Sequence, residues 1–86
     1  MMKIVMITAI WCPSCIIMRN RYNDLFKTMN ITKIEYDFDE DTALIKPFKI
    51  GSILPVVIFF KEDEEVLRII GEKSKKELAK LLEGLL

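Results

Sequence analysis

The chain is 86 residues long, 51% hydrophobic and 30% charged, with 13 basic and 13 acidic side chains that cancel. That length leaves room for one core, so residues 1–86 read as a single domain, and the apolar share is too high for a disordered chain. Balanced charge, with no Lys/Arg block interleaved with aromatics, argues against a nucleic-acid or anionic-membrane partner. Residues 1–11 are apolar but carry only Lys3 and no small-residue cleavage site, unlike a secretory signal. No stretch reaches the roughly 20 apolar residues of a membrane span. The expectation is a cytoplasmic monomer.

Residues 3–9, nearly continuous in apolar side chains, predict a buried strand of the kind found inside a parallel sheet. Cys12 opens a helix, because Pro13 suits the first helical position, where its missing N–H has no partner to lose. Cys15, Met18, Tyr22, Leu25, Phe26 and Met29 recur at helical spacing, and Asn30 is the predicted stop. Residues 31–38 alternate: Ile34, Tyr36 and Phe38 face one way, Lys33, Glu35 and Asp37 the other. Residues 39–46 make one or two helical turns, which Pro47 is expected to end. Residues 55–60 form a β-branched and aromatic strand, 61–64 a polar turn, and 65–70 its antiparallel partner. Gly71 breaks that strand. Ser74 and Glu77 form a capping box ahead of a last helix with Leu78, Leu81, Leu82 and Leu85 on its apolar stripe.

Chemistry concentrates at Trp11-Cys12-Pro13-Ser14-Cys15, which holds the only two cysteines. A Cys-x-x-Cys pair entering a helix from a strand converts between dithiol and disulfide with little backbone movement. The helix N-terminus stabilises negative charge on the first sulfur, and a thiolate is the species that attacks disulfides. Zinc needs four ligands, and the chain has no histidine and no third cysteine, so a metal is not expected. The acidic run at residues 37–41 lacks the glycine and glutamate of a calcium loop, with Thr42 and Phe48 at those positions. The five methionines read as core filling.

The order β-α-β-α-β-β-α, with Trp-Cys-x-x-Cys after the first strand and Pro55 heading the third, resembles the thioredoxin-fold family. Gly71 followed by Ser74-Lys75 and a leucine-rich helix is similar to the thioredoxin ending. The resemblance covers nearly the whole chain and implies an α/β fold with a four-stranded mixed sheet flanked by helices. It also implies a thiol–disulfide oxidoreductase with Cys12 as nucleophile and Cys15 as resolving thiol. Pro55 is then a cis-proline at the substrate, and Trp11, Pro13, Ser14, Leu54, Pro55 and Gly71 line the docking surface, with Ile16 and Ile53 beside it. Disulfide-containing proteins are the implied substrates, a flavin-dependent thioredoxin reductase or the glutathione system the electron donor. No cofactor is expected, with glutathione as the alternative co-substrate.

The departures are specific. Thioredoxins carry a buried aspartate six residues before the first cysteine, where this chain has Met6, and a lysine on the second strand near the position of Glu35. Glu35 is a candidate proton acceptor for Cys15, against the alternative of a carboxylate facing solvent. Pro13-Ser14 puts proline first, as glutaredoxins do. Yet Ile53-Leu54-Pro55 and Gly71-Glu72 depart from the glutaredoxin glutathione signals. A glutaredoxin-like enzyme and a non-catalytic redox sensor or cluster-bridging adaptor are the alternative readings.

Overall fold

The computed structural model describes residues 2–27, 29 and 31–85. Strand β1 (Met2–Thr8) leads through helix α1 (Pro13–Phe26) to strand β2 (Thr32–Asp37). A single helical turn, α2 (Thr42–Ile45), runs on into a 3₁₀ turn at Lys46–Phe48. The hairpin of β3 (Val56–Lys61) and β4 (Glu64–Ile70) and helix α3 (Lys75–Glu83) complete the order. The sheet runs β2-β1-β3-β4. β1 is parallel to β2 and antiparallel to β3, and β3 is antiparallel to β4. The β1–β2 pair is parallel because α1 provides the long crossover such a pair needs.

Side chains alternate across the central strands, so each contributes to two cores. Ile4 and Met6 of β1, Val57 and Phe59 of β3 and Ile69 of β4 pack on one face against Met18 and Tyr22 of α1 and Leu78 and Leu82 of α3. Val5, Ile7, Val56 and Ile58 pack on the other face with Ile45 of α2, in a cluster that reaches Ala9, Cys12, Cys15 and Leu54. Each large apolar side chain so buried contributes roughly 1.5–3 kcal/mol. An ion pair such as Lys75–Asp24, 2.9 Å apart with side chains 64% and 60% exposed, is screened by solvent and adds little. The two cores, and not the surface charges, hold the fold.

The described residues shift several predicted boundaries. The second helix ends at Ile45, two residues before Pro47, which sits in the first turn of the 3₁₀ segment, where its missing N–H leaves no bond unmade. Lys49, in the left-handed region at φ 52°, ends the 3₁₀ segment. The predicted polar turn shrinks to Glu62 and Asp63, both left-handed at φ 53° and 66°, while Lys61 and Glu64 pair in the ladder. Two consecutive left-handed residues match the twist of the flanking strands. Pro55 lies just before β3, since it has no N–H to give the ladder. The Ser74–Glu77 capping box forms as read, with the Glu77 N–H donating to Ser74 Oγ at 3.1 Å and the Ser74 N–H to Glu77 Oε1 at 3.2 Å. Leu81 is exposed, because the buried stripe of α3 runs through Leu78 and Leu82 one turn apart and leaves 81 beside it. The predicted helix stop at Asn30 lies outside the described residues. Among the described residues no helix is long and apolar enough to cross a membrane.

Candidate functional site

β1 ends at Thr8, and the turn over 9–12 closes when the Cys12 N–H donates to the Ala9 carbonyl at 3.1 Å. Cys12 keeps an extended backbone (φ −102°, ψ 104°) and caps α1: its Sγ accepts the Cys15 N–H at 3.2 Å. A thiol thus fills the place usually held by a serine or aspartate oxygen. Pro13 occupies the first turn, and no acidic residue there opposes negative charge on the cap. Both cysteines are free thiols. Only 6% of Cys12 reaches solvent, because it packs into the core cluster that holds Ala9, Cys15 and Leu54.

Cys15 is 1% exposed. Burial pushes its thiol up to about 12; the hydrogen bond and charge of Cys12 add to this, while the Ala9 backbone and the Arg19 charge pull it down. Tyr22, whose buried hydroxyl has no partner among the described residues, is raised by burial as well. In the unfolded chain such a thiol ionises near 9.0, whereas in the native chain it keeps its proton, so above that pH the unfolded state binds fewer protons. The stabilisation is full below about pH 9 and drains away as pH rises towards 12. Urea unfolding at pH 7, 9 and 10.5 should show a falling midpoint, with part of the slope removed in Cys15→Ala; a flat profile would contradict the burial of these groups.

Around the pair, the Leu54–Pro55 bond is cis, and both residues are buried. The Gly71 N–H donates to the Pro55 carbonyl at 2.9 Å, which ties the end of β4 to this segment. Gly71 is left-handed at φ +83°, and a Cβ there would meet Ile53 Cγ2 at 3.3 Å, two reasons for glycine. Ser14 Oγ donates to Glu72 Oε1 at 3.0 Å, joining the first turn of α1 to the residue after Gly71. Thus Cys12, Cys15, Ser14, Leu54, Pro55 and Gly71 gather at one end of the sheet. Trp11 is exposed on its far side; its Nε1 donates to Asp39 Oδ2 at 2.6 Å, and its ring meets Phe38 edge-on at 6.2 Å. Ile10, Ile16 and Ile53 are exposed as well, Ile10 to 92%, so the rim is apolar.

Met6 pairs in register with Glu35 and is fully buried. Glu35 keeps 32% of its side chain in solvent, but it does not stand free as a base. Thr8 Oγ1 donates to its Oε2 at 2.9 Å, and Arg19 binds both oxygens, Nη2 to Oε2 at 2.6 Å and Nε to Oε1 at 3.3 Å. Burial pulls the Glu35 carboxyl up, but the Arg19 and Thr8 hydrogen bonds and the Arg19 charge outweigh it and hold it below its usual range. Sequence reasoning missed Arg19, although its spacing of four from Cys15 put both on one helix face. A cleft of about 480 Å³ opens beside this network. Among the described residues no group of three or more His, Cys, Asp or Glu side chains is placed to hold a metal.

With this geometry in hand, comparison with known proteins is decisive: the model of the thioredoxin family matches residues 2–84. The chain belongs to the thioredoxin family. Thioredoxin H4 of Arabidopsis thaliana is 31% identical over 77 residues, covering 87% of this chain and 64% of the relative. The thioredoxin of Mycolicibacterium smegmatis is 31% identical over 78 residues, covering 86% and 69%. Among solved structures, Trxlp from Edwardsiella tarda superposes with a TM-score of 0.85 at 26% identity, covering 94% of this chain and 81% of that one. The first plant relatives are spanned over only 61% to 64% of their length. The four-stranded mixed sheet flanked by helices is the thioredoxin fold.

Proposed function

We propose that this thioredoxin-family chain is a thiol–disulfide oxidoreductase that reduces protein disulfides through the Cys12/Cys15 couple. The observation that carries the reading is the cap of α1. Cys12 Sγ accepts the Cys15 N–H at 3.2 Å at a helix N-terminus, and the second thiol lies buried one turn behind. The cap thus gives the attacking sulfur a backbone donor at the positive end of the helix. Cys12 attacks a substrate disulfide; a mixed disulfide forms, and one substrate sulfur leaves with its electron pair and takes up a proton. Cys15 then loses its proton and attacks Cys12 Sγ, which forms the internal disulfide and releases the second substrate thiol. Two electrons pass to the substrate.

The apolar rim of Ile10, Trp11, Ile16 and Ile53 favours protein substrates recognised by shape and hydrophobic contact. Leu54, Pro55 and Gly71 form its floor, where an extended substrate backbone would lie, and Pro13 and Ser14 its helix edge. Electrons return from a flavin-dependent thioredoxin reductase, and the chain works as a monomer in the cytoplasm, a compartment that keeps such a pair reduced.

Intact mass after alkylation, with the protein equilibrated across a series of reduced-to-oxidised glutathione ratios, tests the reading. The expected result is a single passage from two alkylated thiols to one internal disulfide, with no adduct accumulating. It should go with accelerated reduction of a protein disulfide when dithiothreitol supplies the electrons. A persistent glutathione on Cys12 would assign the glutaredoxin-like activity instead, and an internal disulfide without any acceleration would leave a redox sensor or adaptor.

A further inference from the structure

We propose that Arg19 is a positioning residue for the second half of this cycle: its guanidinium, fixed by Glu35 and Thr8 one helical turn below Cys15, stabilises the Cys15 thiolate as it forms. The inference rests on the reading of Cys12 and Cys15 as an exchange couple. Four residues along α1 bring Arg19 back to the helix face of Cys15, displaced by about 6 Å along the axis. An arginine on a surface helix usually sweeps through many rotamers, but this one is held at two points. Nη2 and Nε bind the two oxygens of Glu35 at 2.6 and 3.3 Å. Glu35 is held in turn by Thr8 Oγ1 at 2.9 Å, and Thr8 is buried at the end of β1. One charge is thereby located against β1, β2 and α1 at once.

That location matters because Cys15 has little other help. Met6, at the β1 position opposite Glu35, is apolar and fully buried. The ionisable groups that act on Cys15 are the Cys12 thiol, which opposes its ionisation, and Arg19, which favours it. Both oxygens of Glu35 already accept hydrogen bonds, so its role is to aim Arg19 and not to take the proton. The cleft of about 480 Å³ beside the network is lined by Thr8, Ala9, Ile16, Arg19 and Glu35, so solvent reaches the guanidinium. In the step itself the Cys15 proton leaves to solvent and the Cys15 thiolate bonds to Cys12 Sγ. The Cys12–substrate bond breaks, and the substrate sulfur departs with the electron pair and is protonated. No outside oxidant or reductant enters.

Ellman's reagent separates the two halves. With reduced protein in stopped flow, the first release of coloured thiolate reports attack by Cys12, and the second reports attack by Cys15 on the mixed disulfide. Arg19→Gln should lower the ratio of second to first rate about tenfold at neutral pH and move the pH profile of the second release up by about one unit. Arg19→Lys should recover most of this. Glu35→Gln keeps one acceptor and turns its amide N–H towards Arg19, so it loosens the clamp and should lower the ratio by less than Arg19→Gln does; added to Arg19→Gln it should cost nothing further. A wild-type ratio and profile in Arg19→Gln, or no recovery in Arg19→Lys, would overturn the proposal. So would a further loss when Glu35→Gln is added to Arg19→Gln, which would make the carboxylate the base. If wild-type protein gave no second release at all, the exchange couple itself would fall.

Discussion

Cys12→Ser should reduce disulfide exchange to the uncatalysed background, whereas Cys15→Ser should perform half a turnover and stop as a mixed disulfide with its substrate. The first loss is chemical and not structural. Serine is a preferred helix cap, so its hydroxyl takes over the Cys15 N–H that Cys12 Sγ accepts at 3.2 Å, and the helix is retained. What disappears is the sulfur that attacks the substrate; Cys15, 1% exposed, does not reach it. Cys15→Ser buries a hydroxyl where a thiol was 1% exposed, at a cost of about 1 kcal/mol, small beside the loss of the resolving step. Intact mass after incubation with a disulfide substrate distinguishes the two: free protein for the first variant, protein plus substrate for the second. Equal turnover by either variant and wild type would end the mechanism.

Met6→Asp destabilises the fold by about 4 kcal/mol at neutral pH. The substitution restores the residue type that the family resemblance places six positions before the first cysteine, but it does so in a different setting. Met6 is fully buried in the cluster of Ile4, Met18, Tyr22, Val57 and Phe59, and its side chain fills that space. Truncation loses roughly 2–5 kcal/mol of packing, and an unpaired buried carboxyl adds its own desolvation. The only nearby cation described above, Arg19, is already bound to Glu35 at 2.6 Å. Burial holds the new carboxyl protonated while the unfolded chain ionises near its ordinary value of about 4, so the deficit grows as pH rises above that point. Urea unfolding at pH 4.5 and pH 8 should show a larger loss at pH 8. A loss below about 1 kcal/mol at both would mean that the site admits water or a partner for the new charge.

The same two positions show what could be read from the chain. That β1 is a buried strand followed by a helix cap at Cys12 follows from neighbouring residues: an apolar run, then cysteine, then a proline in the first turn. Capping, turn chemistry and hydrophobic period act over a few residues, so the order of elements, the Ser74–Glu77 box and the Cys-x-x-Cys at a strand-to-helix junction were legible locally. Pro47 marked the end of the second helix, but not the 3₁₀ turn that it opens, because proline is forbidden in a helix interior and allowed in a first turn.

The surroundings of the cysteines depend on residues that sequence does not bring together. Arg19 and Glu35 are 16 positions apart, Trp11 and Asp39 28, and Ser14 and Glu72 58. No period links such pairs; each forms because the sheet order β2-β1-β3-β4 brings the strands and their following turns to the N-terminal end of α1. The alternation of β2 correctly put Glu35 opposite Ile34 and Tyr36. Whether that second face met water or a helix was decided by the packing of α1 over β1 and β2, which is a tertiary fact. The sequence alone therefore determined the thiol pair, the helix that Cys12 caps and the class of fold, since those rest on local chemistry. The packed structure alone decided that Cys12 lies in a recess and that Glu35 is bound to Arg19, because burial and ion pairing depend on which distant segments share a surface.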